Sequence, residues 1–311
     1  MDAAKFVDEG VAEIREMVGD GKAISALSGG VDSSVVTVLG HKALGDRLRT
    51  IFIDDGLMRQ GEPEQVRDAF AEIGIPVEVI DARQRFFDAL AGITEPEEKR
   101  KAFRHTFYQV FGEAVKDSDA QYLLQGTIAA DVAETQKGVK TQHNVLEQIG
   151  IDSKSGYGFQ AIEPVRTLYK PGVRAIAREL GLPEAFSERM PFPGPGLATR
   201  CLGEVTPERV EIVRQACRIV EEETAQYDPF QAFAVLLADR ATGLDKGGHR
   251  AFGDIVVVRC VHSEDALTAQ PVEIPWPVLE GMRDRILAAC PTVTKVLLDL
   301  TGKPPSTIEY I

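Results

Sequence analysis

The segment Lys22-Ala-Ile-Ser-Ala-Leu-Ser-Gly-Gly-Val-Asp-Ser-Ser-Val-Val-Thr-Val-Leu39 constrains the fold more than any other stretch. An apolar run reads as a buried strand, breaks at Ser28-Gly29-Gly30, and resumes with helical periodicity from Val31. A short loop of small residues between a strand and a helix leaves backbone N–H groups without partners at the helix N-terminus. That end suits phosphate. Ser28, Ser33 and Ser34 add hydroxyl donors, and Gly29 and Gly30 let a bulky anion reach the backbone. Asp32 makes sense in such a loop when a cation such as Mg²⁺ is shared with the phosphates. The pattern is neither G-x-x-x-x-G-K-[ST] nor G-x-G-x-x-G. The plain alternative is a tight turn with a serine cap, but few such turns place Ser-Gly-Gly-x-Asp-Ser-Ser directly after a buried strand.

Strand and helix patterns then alternate. Strands are expected at 49–54, 76–81 and 120–125, and helices at 2–18, 62–73, 95–115 and 170–180. This alternation predicts an α/β fold with a doubly wound parallel sheet, whose ligands sit at the carboxyl ends of the strands. Ser28–Ser33, Asp54-Asp55 and Gln125–Asp131 all fall at expected strand ends, hence on one rim. Residues 126–160 are polar, aperiodic and long for a loop, which points to function. The stretch Met190-Pro-Phe-Pro-Gly-Pro-Gly-Leu197 reads as a stiff linker. Two domains are expected, 1–189 and 190–311, the second a smaller α+β unit. Its helices are expected at 207–224 and 278–289, and its strands at 232–237, 254–261 and 294–300. The apolar ending at Ile311 suggests a docked tail rather than a frayed one.

The chain has 311 residues, 44% of them hydrophobic, which is enough for real cores. No apolar run spans a bilayer and no signal-peptide pattern opens the chain, so a cytoplasmic protein with no membrane role is expected. A net charge of −13 disfavours nucleic acid as a partner. Cys201, Cys217, Cys260 and Cys290 are scattered with no C-x-x-C pair, so they read as reduced core residues rather than a zinc or redox site.

Several blocks carry a family resemblance. The phosphate loop resembles that of the N-type ATP pyrophosphatases (adenine nucleotide alpha-hydrolase-like). Further along stand Gln125-Gly-Thr-Ile128 with Asp131 and Glu134, Val139-Lys-Thr-Gln-His-Asn144, Glu163-Pro-Val-Arg166, Pro191–Leu197, Gln231-Ala-Phe233 and Lys303-Pro-Pro-Ser-Thr-Ile-Glu309. In this order they are similar to the GMP synthetase family, specifically its ATP-pyrophosphatase portion with the dimerisation domain. The likeness covers nearly the whole chain. It is best to the two-subunit archaeal form, since no glutaminase domain precedes residue 1.

The resemblance implies ATP-dependent adenylation of the C2 oxygen of XMP, then amination by ammonia, giving GMP, AMP and pyrophosphate. None of the four cysteines sits in G-x-C-x-G, so ammonia is expected from a separate glutamine amidotransferase subunit. The family reading gives a homodimer. It places ATP on Ser28, Gly29, Gly30, Val31, Asp32, Ser33 and Ser34, with Mg²⁺ on Asp32 and Asp131; Leu27 and Asp54 join the ATP set by their position on the strand rim. The catalytic set is Asp131, Glu134, Lys140 and His143, on a lid that excludes water. XMP falls to Arg100, Gly194, Gln231, Lys303 and Glu309.

Three departures stand out. Gln142 replaces the first of two lid histidines, which keeps hydrogen bonding and removes a titratable group. The segment 243–250 is one residue longer than the family pattern and lacks its Asp at the matching place. Lys170 is followed by Pro171-Gly172 where acidic residues are usual. The competing readings are another ammonia-using N-type ATP pyrophosphatase such as NAD synthetase, a tRNA thiolase, or a non-catalytic nucleotide-binding subunit.

Overall fold

A computed structural model describes residues 2–129, 131–132, 160–187, 189–244 and 247–311. The chain divides into two compact units. The first comprises residues 1–54, 61–82 and 106–189; the second comprises 55–60, 83–105 and 190–311.

The first unit is built on five parallel strands: β1 (Ala23–Leu27), β2 (Leu48–Asp54), β3 (Glu78–Asp81), β4 (Tyr122–Leu124) and β5 (Gln160–Ile162). Their order is β3-β2-β1-β4-β5. The winding reverses between β1 and β4, and that switch point opens a crevice at the carboxyl ends of these strands. β1 and β2 are apolar runs because a central parallel strand is covered on both faces.

Helix α1 (Ala3–Val18) and helix α2 (Val31–Leu44) pack on each other, and α2 also packs on helix Lys170–Glu179. α2 is apolar nearly all round because it is enclosed by these neighbours and the sheet. Gly40 lets it lie against β4; a Cβ there would meet Leu124 Cδ1 at 2.2 Å. The buried hydroxyls of Ser25 and Thr37 satisfy each other at 2.7 Å, tying β1 to α2. Helix α3 (Glu62–Glu72) follows β2.

The second unit has a mixed sheet. β6 (Gln231–Leu244) and β7 (Arg250–His262) form a long antiparallel pair. β8 (Gln270–Pro271) pairs antiparallel and β9 (Val293–Leu298) parallel with the other edge of β7. Helices Pro207–Thr224 and Trp276–Ala289 complete it. Helix α4 (Arg83–Leu90) and the first part of helix α5 (Pro96–Lys116) belong to this unit as well.

The proline-rich stretch does not run free as a linker. Leu197 to Cys201 are buried, and Gly196 sits so close to the Leu57 carbonyl that a Cβ would lie 2.4 Å from it. The tail is docked. Arg259, fully buried on β7, donates to the carbonyls of Thr301, Thr307 and Ile308 and to Asp299.

All four cysteines are free and buried. Burial pushes the Cys260 thiol up to about 12 and that of Cys290 up to about 11. Burial is also the leading cause that raises Cys201 and Cys217. The thiolate is the nucleophile, so native protein at about pH 8 is expected to take up no iodoacetamide, and urea-unfolded protein to take up four equivalents, as read by intact mass. Rapid labelling of the native state would contradict this burial. Among the described residues no helix is long and apolar enough to cross a membrane.

Candidate active site

Leu27 ends β1 inside the core, and the loop Ser28–Gly30 leads into α2 at the switch point. The Ser33 hydroxyl braces this loop: it accepts from Ser28 N at 3.1 Å, lies 3.0 Å from Ser28 Oγ, and donates to Gly30 O at 3.1 Å. Ser34 Oγ donates to the same carbonyl at 2.9 Å. Gly30, the N-cap, offers no side chain to the first-turn N–H groups of α2. An anion is the partner such a helix end favours. Val31, the first residue of α2, is buried.

The neighbouring loop closes on the same spot. A Cβ on Gly126 would lie 3.0 Å from Asp32 C and from Ser33 N, so a side chain there would press on the start of α2. Gln125 Nε2 donates to Thr127 Oγ1 at 3.0 Å, and Thr127 Oγ1 donates to Glu163 Oε1 at 2.5 Å. The loops after β4 and β5 are thereby joined.

Asp32 is the charged centre of this rim. Lys170 Nζ donates to its Oδ2 at 2.7 Å. Its Oδ1 is buried with no hydrogen-bond partner. A carboxylate oxygen left bare at an anion site suits a divalent cation shared with phosphate, so Asp32 fits the expected Mg²⁺. Asp131, the other expected ligand, accepts from Ile128 N at 3.1 Å. Among the described residues no group of three or more His, Cys, Asp or Glu side chains gathers to hold a metal ion.

Asp54 ends β2 half-buried, in register with Asp81 of β3. Glu134, Lys140, Gln142 and His143 lie outside the described residues, as does Asp245.

In the second unit the expected nucleotide residues separate. Gln231 and Glu309 meet: Gln231 Nε2 donates to Glu309 Oε1 and to Pro191 O, both at 2.9 Å. Lys303 Nζ donates instead to Ala266 O at 2.7 Å. Arg100 is exposed on α5 and pairs with Glu97 of the same helix at 2.9 Å. Gly194 is exposed, with open space where a Cβ would stand.

Three features escape a reading of the sequence. Lys170 stands there only as a helix start, yet it is the cation on Asp32. Arg189 and Glu62 pair at 2.6 Å beside Gly29. In the second unit Arg200, 1% exposed, grips Glu309 with two nitrogens at 2.8 and 3.1 Å. Its guanidinium lies over Phe233 at 4.2 Å and Phe192 at 5.0 Å. The planar fork and the aromatic faces hold this charge without water.

The comparisons with known proteins fit both units. The family model described as NAD synthase matches residues 3–194, and that described as GMP synthase C terminal domain matches residues 218–310. The chain is 53% identical to the B-type subunit of GMP synthase (glutamine-hydrolyzing) from Archaeoglobus fulgidus, covering 100% of both. It is 52% identical to the protein of the same name from Pyrococcus furiosus, over 98% of this chain and 97% of that one. For the Halorubrum lacusprofundi protein the identity is 48%, over 100% and 99%. With likeness of this degree from end to end, the chain belongs to the family of B-type subunits of glutamine-hydrolyzing GMP synthase.

Proposed function

We propose that this chain is the ligase that makes GMP from XMP, ATP and ammonia. The observation that carries the reading is a full-length match, at about half identity, to chains of one name. The phosphate loop at the switch point supplies the chemistry that name requires. Neither NAD synthetase nor a non-catalytic subunit is favoured, since the match extends through the second unit.

The C2 oxygen of XMP attacks the α-phosphorus of ATP. The bond from that phosphorus to the bridging oxygen breaks, and pyrophosphate leaves. Ammonia then adds to C2, a proton is lost, and AMP departs with the former C2 oxygen. Such phosphoryl chemistry rests on positioning and charge stabilisation. Ser28, Gly29, Gly30 and Ser33 hold the departing pyrophosphate, and Lys170 brings positive charge to the same rim. Asp32 would hold Mg²⁺, whose chemistry there would be to neutralise charge on the leaving group. The reading assigns Asp131, Glu134, Lys140 and His143 to the lid chemistry. It assigns XMP to Arg100, Gly194, Gln231, Lys303 and Glu309. It also gives a homodimer in the cytoplasm, fed by a separate glutamine-hydrolysing subunit.

The test is one reaction containing ATP, Mg²⁺, ammonium and XMP. Loss of XMP absorbance with equimolar AMP, pyrophosphate and GMP is expected. Formation of ADP, or use of deamido-NAD in place of XMP, would refute the reading.

A further inference from the structure

Gly29 occupies the left-handed region, with φ of 72°. A Cβ there would lie 2.3 Å from Glu62 Oε1. Glu62 is 2% exposed in the first turn of α3 and accepts from Arg189 Nη1 at 2.6 Å. The same nitrogen donates to the Gly29 carbonyl at 3.3 Å. The loop is therefore pinned from outside itself, by a cation held on a buried carboxylate.

The consequence follows from peptide geometry. In a trans peptide the carbonyl of one residue and the N–H of the next point in opposite directions. Holding Gly29 O toward Arg189 aims the Gly30 N–H away from it. Gly30 is the exposed N-cap of α2, where an anion is received. Arg189 is matched in charge by Glu62, so the pair offers little net field to the anion. Its effect is on direction.

We propose that Arg189 and Glu62 are a positioning pair for the pyrophosphate loop: they fix the Gly29–Gly30 peptide plane so that its N–H faces the departing pyrophosphate. This rests on reading residues 28–33 as the pyrophosphate loop. The pair touches no substrate and acts through Gly29.

Two variants separate direction from charge. Glu62→Gln is isosteric and removes a negative charge near an anion site. Plain electrostatics then predicts tighter pyrophosphate binding, whereas loss of the anchor predicts weaker binding. Arg189→Lys keeps the charge and loses the planar fork, so electrostatics predicts no change and positioning predicts a loss.

The measurement is calorimetric titration of the full-length chain with inorganic pyrophosphate and Mg²⁺, alongside KM values for ATP and XMP. Both variants are expected to weaken pyrophosphate about tenfold and to raise KM for ATP similarly, with KM for XMP unmoved. Tighter or unchanged pyrophosphate binding in Glu62→Gln, or unchanged binding in Arg189→Lys, overturns the proposal. Equal rises in both KM values overturn it too, as they mark a general defect. If Glu62→Gln fails to fold, Arg189→Lys decides alone. Wild-type protein with no affinity for pyrophosphate refutes the loop reading itself, whereas wild-type binding that both variants keep refutes only the pair.

Discussion

Replacing Lys170 with Met is expected to lower kcat/KM for ATP by about 10²–10³-fold, the range found when one preorganised donor to a transition-state charge is lost. Two effects act in the same direction. The rim loses an ammonium that stands on Asp32, at the loop proposed to receive the phosphates. Asp32 also loses the ammonium that holds its Oδ2 at 2.7 Å, so the carboxylate that would carry Mg²⁺ is no longer fixed in place. The Lys170 side chain is about half exposed, at 47%, so the substitution is expected to leave the melting midpoint nearly unchanged.

Initial rates across ATP concentrations, with XMP and ammonium held saturating, give the number. The double variant with Asp32→Asn is expected to lose less than the sum of the two single losses, because Asp32 and Lys170 work as one unit. A fall of less than threefold in the single variant would remove Lys170 from the site.

Lys170 also shows where sequence reading stops. The strand–loop–helix at 23–44 is legible because its signals are local: an apolar run, the Ser-Gly-Gly break and a second, longer apolar stretch over consecutive residues. The alternation that implies a doubly wound sheet is legible for the same reason. The Lys170 contact joins residues 138 apart, and no local pattern encodes a charge pair of that span. Arg200 and Glu309, 109 apart, are hidden in the same way. The family blocks contain Gln231 and Glu309, but not Arg200, which binds the same carboxylate.

The missed strands have a physical cause as well. β5 is three residues long, sits at the sheet edge and exposes two of them, so it vanishes in a polar region. The outer half of β6, from Asp239 to Leu244, is solvated and shows no buried face. It is a strand only because β7 supplies its hydrogen bonds. The proline-rich stretch reads as a linker because its glycines and prolines mimic free chain, while the burial of Leu197 and Ala198 depends on contacts such as Leu57.

Arg259→Met is expected to cost about 3–5 kcal/mol of stability, the range for breaking a buried charge pair by removing one partner. Arg259 is 0% exposed, and each guanidinium nitrogen is committed. Nε donates to Ile308 O at 2.9 Å, Nη1 to Asp299 Oδ2 at 2.7 Å and Thr301 O at 2.8 Å, and Nη2 to Thr307 O at 2.8 Å. Met fills similar length and offers none of these donors, so three carbonyls and a carboxylate oxygen face a thioether. The carboxylate keeps Tyr310 Oη, at 2.8 Å, and Thr301 N; the tail carbonyls of Thr307 and Ile308 lose the contact that docks them. Release of the tail then takes Glu309 from Arg200. Urea unfolding gives the stability change, and carboxypeptidase trimming of the folded protein reports the tail. Faster trimming and a KM for XMP raised at least about tenfold are expected, with pyrophosphate affinity unchanged, since its loop belongs to the other unit. Glu309→Gln supplies the contrast: it keeps the Arg259 contacts, so it should be trimmed more slowly than Arg259→Met and still lose XMP. If Arg259→Met trims no faster than wild type, the tail is held by something other than this arginine; if Glu309→Gln keeps full XMP affinity, docking alone is what the tail contributes.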